Sequence, residues 1–416
     1  IVFAVSFMCW PLSAHAANRP SMIRDAEVEN TIRIYATPLF RAAGLRAEDV
    51  KIFIVRDSSL NAFVAGGQNL FLNTGLILAS KDANGVIGVI AHETGHIAGG
   101  HLSRVHAALA KGSAASILAT ILGGATAIAT GRGDVGGAIA LGGQSVATRN
   151  FLAYSRVQES AADHAALRLL DETGHSARGL LSFMEELGDQ ELLSPSQQDP
   201  YVRTHPLTRD RISAVGEHVK KSSHSDKPVT PHISALHERM KAKLYAFINP
   251  MPRTLRVYKA SDTSLPSRYA RAIGHYRQGK LDQALPLIDG LIADEPANPY
   301  FHELKGQMLF ENGHLNEALV SYGQAAKLLP NSALIRRDLA RAQIEYNQPA
   351  FLEAAVINLE AALAIERRSA FNWHLLAIAY GRIGDQGRSS LALAEEALIR
   401  SKPKTDLHHA GRAQKI

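Results

Sequence analysis

The spacing of apolar residues in the first half of the chain predicts helices around a small sheet. Three short runs rich in apolar and β-branched residues are typical of strands, and Gly66-Gly67 between the second and third predicts a turn. Longer runs with an apolar residue every three to four positions predict helices that each bury one face. The predicted strands are 51–55, 61–64 and 70–73, and the predicted helices are 26–45, 84–99, 154–173 and 177–187, with a further helix beginning at 76–79. This half is expected to be mainly α-helical with a small β-sheet.

The last third of the chain repeats an amphipathic pattern with a period of 34 residues. Pro296 and Pro330 are 34 residues apart and end two similar units. The predicted turn residues of the units are Gly279, Gly313, Asn347 and, in a slipped fourth copy, Gly384. This period is typical of tetratricopeptide repeats, in which each helix pair buries its apolar face against the next. Unrelated amphipathic helices would not keep these landmarks in one period, so 265–401 is predicted to form an α-solenoid that binds protein segments.

The two ends of the chain and the stretch before the repeats differ in composition from the rest. Residues 1–10 are apolar and an A-x-A pattern precedes Ala17, which is typical of a secretory signal peptide, here truncated at its N-terminus. The alternative is a buried N-terminal strand. Cleavage after residue 16 would remove Cys9, the only cysteine, so the mature chain would have no disulfide. Residues 226–264 are predicted to be a linker and a connecting helix, and 402–416 a polar tail.

Overall composition limits the classes of partner. The chain of 416 residues is 46% hydrophobic and 20% charged, with a net charge of +6, and its basic residues are scattered. No nucleic-acid interface is predicted from that distribution. Residues 112–131 carry no charge but are mostly small, which favours a buried or interfacial helix over a membrane span. The Gly-rich stretch 112–143 is expected to cover a cleft or to make a peripheral contact with lipid or a partner.

The sequence His92-Glu93-Thr94-Gly95-His96 carries the clearest chemical signal. Two histidines four positions apart on a helix lie on the same face and can bind one zinc ion. Glu93, next to the first histidine, can then reach a water molecule at that ion and act as a general base. This arrangement predicts a metal-dependent hydrolase, provided that a third ligand exists.

The sequence offers two candidates for the third ligand. His101 falls one position short of the register of the longer H-E-x-x-H-x-x-G-x-x-H motif, which turns its side chain about 100° away. It is therefore expected on the surface or behind a ligand. Glu159 is the better candidate, because Glu159 and Asp163 share one helix face among small residues. Asp163 could then accept a hydrogen bond from Nδ1 of a ligand histidine.

Several motifs together resemble peptidase family M48, in an order and at separations that match. They are His92-Glu93-x-x-His96, Asn61-Ala62-Phe63 with Gly66-Gly67, Thr74-Gly75-Leu76-Ile77, Ser155-Arg156-x-x-Glu159-x-x-Ala162-Asp163, and Thr204-His205-Pro206 with Arg209 and Arg211. The resemblance implies a zincin-type (gluzincin) metallopeptidase domain over 17–225, followed by the repeats. It also implies one Zn²⁺ bound by His92, His96 and Glu159, with Glu93 as the general base.

The resemblance gives His205 two further roles to consider. In similar proteases the matching histidine can occupy the open metal position and keep the enzyme latent, and a catalytic role as a donor to the oxyanion is the alternative. A plain surface histidine is the third option. Pro206 restricts His205 to extended backbone conformations in any of these roles.

The repeats and the signal segment resemble those of periplasmic members of the family. We therefore expect a periplasmic endopeptidase that acts on unfolded or misassembled proteins and contacts the outer-membrane β-barrel assembly machinery through its repeats. The alternatives are a chaperone or scaffold in which proteolysis is secondary, and a zinc hydrolase of small molecules or cell wall. Residues 68–73 are expected to be either an edge strand that pairs with an extended substrate or plain sheet structure.

Overall fold

The computed structural model describes residues 21–101, 146–188, 190, 193, 198–401, 408–411 and 413. The predicted signal peptide 1–16, the Gly-rich stretch 112–143 and most of the tail 402–416 lie outside these residues. The chain divides into two compact units. The N-terminal unit contains Tyr35–Pro228 together with the residues up to Ile23, and the repeat unit contains Val229–Ile416 together with Arg24–Ile34.

Four strands and seven helices are described from β1 to Lys221. The strands are β1 (Ser21–Ile23), β2 (Lys51–Arg56), β3 (Ala62–Ala65) and β4 (Asn69–Asn73). The helices are α1 (Ala26–Ala42), α2 (Thr74–Ala79), α3 (Ala83–Ala98), α4 (Val146–Thr173), α5 (Arg178–Gly188), α6 (Pro200–Thr204) and α7 (Arg209–Lys221). The expected mixture of helices and a small sheet is confirmed.

The sheet distinguishes the two interpretations of residues 68–73 and agrees with plain sheet structure. Its strand order is β1-β2-β4-β3, with β4 parallel to β2 and antiparallel to β3. Gly66 and Gly67 both have positive φ and form the β3–β4 turn, where glycine adopts this conformation without strain. Because β4 is paired on both sides, the idea that it is an edge strand was wrong. Among the described strands, β3 is the edge beyond β4.

Helix α3 is the centre of the N-terminal unit and packs against α4, α5 and β3. Twelve of its first thirteen residues, from Ala83 to Gly95 with only Gly85 left out, are buried, and Asp82 caps it by accepting a hydrogen bond from the Asn84 amide at 2.8 Å. Two glycines of α3 allow close contacts with its neighbours. A Cβ atom at Gly88 would lie 2.8 Å from Leu180 of α5, and one at Gly95 would lie 2.8 Å from the Ala162 carbonyl of α4.

Among the described residues from Val229 onward, the repeat unit contains a connecting helix, a short helix and four helix pairs. These are α8 (Pro231–Ile248), α9 (Met251–Val257), α10 (Leu265–Tyr276) with α11 (Leu281–Asp294), α12 (Pro299–Glu311) with α13 (Leu315–Leu328), α14 (Ala333–Tyr346) with α15 (Pro349–Ile365), and α16 (Ala370–Arg382) with α17 (Gln386–Ile399). Consecutive helices of the series pack on each other, and buried residues run through the pairs as successive clusters. The predicted α-solenoid is confirmed.

The turn within each helix pair has the same backbone conformation. Gly279, Gly313, Asn347 and Gly384 all have positive φ, of 73°, 82°, 54° and 86°. Glycine and asparagine are the residues that enter this left-handed region most readily. The first three are 34 residues apart, and the fourth follows after 37. Helix α15 has 17 residues where α11 and α13 have 14, and these three extra residues (17 − 14) account for the slip.

Three helices were not predicted. Helix α6 falls at the end of a segment read as a loop, and α7 follows it. Helix α9 begins beside Pro250 and Pro252, although the two prolines by themselves predict only the end of the preceding helix. Proline also favours the first turn of a helix, because the amide it lacks would have no partner there. Within the described residues, no helix combines the length and apolar character needed to span a bilayer.

Candidate metal centre

Helix α3 presents His92, Glu93 and His96 in the interior of the N-terminal unit. His92 and Glu93 are almost fully buried, and His96 is slightly more exposed. Because the two histidines are one helical turn apart, their rings lie on the same side of α3, with the two Nε2 atoms 3.1 Å apart. The sequence motif therefore forms a local pair of nitrogen donors.

Helix α4 brings two carboxylates to this pair. The carboxylate oxygens of Glu159 lie 3.3 Å from His92 Nε2 and 3.4 Å from His96 Nε2. Asp163 Oδ1 lies 2.9 Å from His92 Nδ1, on the opposite side of the ring. A contact there favours a proton on Nδ1 and leaves Nε2 with a free lone pair. The absence of a side chain at Gly95 permits this approach, because its Cα faces Ala162 of α4.

His205 completes the cluster from a different part of the sequence. It is the C-cap residue of α6, a helix whose N-cap Asp199 also accepts a hydrogen bond from the Leu60 amide at 3.2 Å. On the other side, the Arg211 guanidinium donates to the Pro206 carbonyl at 2.6 Å. His205 Nδ1 lies 3.2 Å from Glu159 Oε2 and 3.5 Å from His92 Nε2. The loop is therefore fixed on both sides of the histidine.

The separations of the donor atoms suit a zinc ion. Tetrahedral ligands about 2.0–2.1 Å from zinc are about 3.3 Å from one another. The five separations given above among His92, His96, Glu159 and His205, which involve both Glu159 oxygens, range from 3.1 to 3.5 Å. All four ligand atoms lie within 4.8 Å of one another. Three imidazoles and a carboxylate are also a donor set that zinc favours, so these residues fit the ion.

Glu93 is next to this cluster but is not one of its donors. Both of its carboxylate oxygens are buried and lack a hydrogen-bond partner among the described residues. One of them lies 3.6 Å from His205 Nε2. Buried carboxylates are normally satisfied, so an orphaned one beside a metal-type cluster indicates a functional position.

Comparison with known proteins agrees with this geometry. The family model of Peptidase family M48 matches residues 23–219, which contain every residue of the cluster. Residues 23–219 form a peptidase family M48 domain. A relative from Vibrio cholerae serotype O1 is 28% identical over 267 residues, 61% of this chain, and the chain spans only about half (54%) of that relative. The beta-barrel assembly-enhancing protease of Escherichia coli K12 is 24% identical over 360 residues, covering 82% of this chain and 70% of that protein.

A solved structure aligns with part of the chain at a low score. The crystal structure of a thermophilic TPR protein from Thermus thermophilus covers 42% of this chain and 96% of its own, with 18% identity and a TM-score of 0.32.

The titratable groups of the metal cluster have pKa values that differ from their ordinary values. Burial alone lowers the pKa of His92, but the carboxylates of Asp163 and Glu159 outweigh it and raise that pKa to about 10. Burial also lowers the pKa values of His96 and His205, so both rings are poor proton acceptors. Burial raises the pKa of Glu93 to about 7. The carboxylates of Glu159 and Asp163 therefore favour positive charge at this cluster.

Two residues that the sequence did not mark as site residues, Arg211 and Tyr201, contact side chains of the metal cluster. Arg211 of α7 donates from Nε to Asp163 Oδ2 at 2.6 Å and from Nη2 to Oδ1 at 2.8 Å, and its Nη1 lies 3.1 Å from Glu159. Tyr201 stacks on the His205 ring at 4.5 Å. Arg211 belonged to the motif that carried the resemblance but received no role. Tyr201 had no signal in the sequence, because its partner is known only once α6 is folded.

His101 is not part of the donor cluster, but it is not on the surface. It is buried, and its Nδ1 lies 2.9 Å from His96 Nδ1. Of the two placements expected for it, the one behind a ligand agrees with the structure. A hydrogen bond there orients the His96 ring with Nε2 toward the other donors.

Proposed function

We propose that the chain is a zinc-dependent endopeptidase with His92, His96 and Glu159 as the metal ligands. The observation that carries the proposal is the orphaned, buried carboxylate of Glu93 beside a cluster with tetrahedral donor spacing. Bound zinc would supply a Lewis acid for the scissile carbonyl and lower the pKa of water toward about 7. The M48 family match and the name of the Escherichia coli relative support peptide bonds as the target.

In this proposal, the side chains around the metal orient the ligands and transfer protons to and from the substrate. Glu93 removes a proton from the attacking water and returns it to the leaving amine nitrogen. Its raised pKa, about 7, suits both steps near neutral pH. Asp163 keeps the proton on Nδ1 of His92, and Arg211 holds Asp163 in place with two hydrogen bonds. Strand β3 is the described edge to which an extended substrate backbone can add.

His205 makes the proposed enzyme latent. Nδ1 of His205 lies 3.2 Å from the Glu159 carboxylate and 3.5 Å from His92 Nε2. It can therefore be a fourth protein ligand, at the metal position that a reactive water would otherwise occupy. Activity then requires the His205 side chain to leave the cluster. A displaced His205 could also donate to the oxyanion, which is the competing role. Removal of the imidazole separates the two roles, because it activates a latent enzyme and disables one that needs the donor.

The wider role proposed here is quality control in the periplasm. The sequence resembles a beta-barrel assembly-enhancing protease over 82% of its length, and it carries a repeat unit of a type that binds protein segments. We propose that misassembled outer-membrane proteins are the substrates and that the repeats contact the β-barrel assembly machinery. A peripheral membrane contact of residues 112–143 belongs to the same proposal.

Metal analysis and casein cleavage on three proteins test the enzymatic proposal. The wild type should bind about one zinc per chain and cleave casein slowly. Glu93→Gln should keep the zinc and lose cleavage, and His205→Ala should keep the zinc and cleave faster. Cleavage by Glu93→Gln at the wild-type rate would refute the role of Glu93. Unchanged or lower activity of His205→Ala would refute latency.

A chaperone or scaffold with secondary proteolysis is the second candidate. It is favoured by the position of His205, which predicts low basal activity, together with four helix pairs available to bind protein. Expression of Glu93→Gln in a strain that lacks the protein distinguishes the two. Full rescue of every defect supports the scaffold, and failure to rescue supports the peptidase.

A further inference from the structure

The first turn of α1 is an acidic segment buried within the repeat unit. We call Asp25, Ala26 and Glu27 the acidic turn. Asp25 caps the helix by accepting a hydrogen bond from the Val28 amide at 2.9 Å. Glu27, the second helical residue, has no exposed surface. The position of these residues among the repeat helices, far from them in sequence, was not predicted.

Two cations of the connecting helix α8 meet the acidic turn. Lys243 Nζ lies 2.8 Å from Asp25 and 3.4 Å from Glu27. Arg239 donates from Nε to the other Glu27 oxygen. Tyr269 of α10 adds a neutral donor, with its hydroxyl 2.8 Å from Glu27. Both carboxylates are therefore recognised by donors fixed on two different helices.

Ala26, between the two carboxylates, contacts an apolar wall. It packs with Tyr300 of α12, Ala325 of α13, and Leu334 and Ile335 of α14. Ala26 is itself buried, so a larger side chain there would have to displace neighbouring atoms. The surface thus selects a helix start of the form Asp-small-Glu.

The surface that contacts the acidic turn carries two cations that need acidic partners. We define the receptor surface as Arg239, Lys243, Tyr269, Tyr300, Leu334 and Ile335. Lys243 is 3% exposed and Arg239 is 8% exposed. Besides the acidic turn, the buried Glu303 lies 3.8 Å from Lys243, and the partly exposed Glu295 lies 3.4 Å from Arg239. Without the acidic turn, each cation would keep one of these longer contacts, so another acidic segment would restore the closer ion pairs.

We propose that the receptor surface is a binding site for the first turn of an acidic helix, occupied in this chain by its own residues 24–34. A partner segment that begins a helix with Asp-small-Glu would compete for the site with the tethered copy. This site is distinct from the metal centre and does not depend on the proposed peptidase activity.

Binding of a peptide in trans tests the proposal on the full chain. The probe is a fluorescent peptide with the sequence of residues 21–34, and the receptor is the chain with Asp25→Asn and Glu27→Gln, whose own acidic turn is weakened. Matched control peptides carry Glu27→Gln, which keeps size and removes charge, or Ala26→Leu, which only adds bulk. Fluorescence anisotropy measures the affinity of each.

The expected order of affinities is specific. The native peptide should bind the substituted chain, and each control peptide should bind it about tenfold more weakly or worse, since charge-assisted bonds or the fit at the wall are lost. The wild-type chain should bind the native peptide at least about tenfold more weakly than the substituted chain, because its tethered turn has an effective concentration near the millimolar range. Equal affinity for native and control peptides, or no saturable binding, would overturn the proposal.

Hydrogen exchange provides a test that needs no substituted chain. In the wild type, millimolar native peptide should speed amide exchange in residues 27–31, while the Glu27→Gln peptide should not. Unchanged exchange with the native peptide would show that the acidic turn is a permanent part of the repeat unit, which would also overturn the proposal.

Discussion

Gly95→Ala tests how the metal cluster is assembled from two helices. The Cβ atom of alanine would lie 2.8 Å from the Ala162 carbonyl oxygen, 3.1 Å from the Ala162 Cα and 3.2 Å from the Ala165 Cβ. Ordinary contacts of this kind begin at 3.4 Å. Helices α3 and α4 would therefore have to separate by about 0.6 Å (3.4 − 2.8), because no flexible side chain can move aside instead.

The separation moves Glu159 away from the two histidines. Glu159 is on α4 within one turn of Ala162, so its oxygens would retreat from His92 and His96 by a similar distance. Displacement of a ligand or its support typically costs about 10- to 100-fold in metal affinity. Overpacking also costs about 1–3 kcal/mol of stability, offset by about 1 kcal/mol from replacing a glycine inside a helix.

Zinc affinity measured by chelator competition is the appropriate assay. Gly216→Ala in α7 is the matched control, because its Cβ would meet only the Leu181 side chain at 3.9 Å. That control should keep zinc affinity and gain up to about 1 kcal/mol of stability. The account of the helix contact fails if Gly95→Ala binds zinc as tightly as the wild type does.

Three further predictions concern residues that support the two units. Arg211→Met should lower zinc affinity about 10- to 100-fold and destabilise the fold by about 3–5 kcal/mol, because it leaves Asp163 buried without its partner. Tyr201→Leu should raise casein cleavage about two- to tenfold, since loss of the ring stack frees His205 more often. Burial raises the pKa of Glu303 to about 8 from an ordinary 4.5, so its contribution to stability is complete below about pH 4.5 and is lost as pH rises through about 8. Glu303→Gln should therefore melt with a weaker dependence on pH between these values.

Matched variants provide the controls for these predictions. Arg211→Lys should fail to restore zinc affinity, because a lysine cannot make the paired hydrogen bonds, and wild-type affinity in that variant would contradict the assigned role. Tyr201→Phe keeps the ring and should behave as the wild type. An unchanged rate in Tyr201→Leu, with zinc retained, would argue against the stack. Glu345→Gln, at an exposed site, should leave the pH dependence of melting unaltered, and the same result for Glu303→Gln would refute the buried-acid argument.

The sequence predicted the parts of the site that depend on local periodicity. His92 and His96 share a face of one helix, and Glu159 and Asp163 share a face of another, so helical spacing indicated both pairs. The small residues that follow Glu159 favoured its close packing over exposure. Arg211 and Tyr201 act across elements that are far apart in sequence, and no periodicity marks such contacts. His205 was a candidate only through the resemblance, because a single histidine before a proline has no distinguishing pattern.

In the fold too, features set by neighbouring residues could be predicted, and contacts between residues far apart in the sequence could not. The turn residues of the repeats were predictable, because glycine and asparagine are selected by backbone conformation. The pairing of β4 on both sides was not, because parallel pairing with β2 joins strands separated by β3 in the sequence. The acidic turn illustrates the limit most clearly. Its short Asp-Ala-Glu sequence looks like an ordinary helix start, and its burial depends on Lys243 and Arg239, more than 200 residues away.

Anomalous scattering at the zinc absorption edge, from crystals of the wild-type protein grown with zinc, tests the central claim most directly. We predict one strong peak within bonding distance of His92, His96 and Glu159, with His205 as the fourth ligand and Glu93 outside the coordination sphere. A crystal with no peak at these residues, or with the peak at another site, would contradict the account.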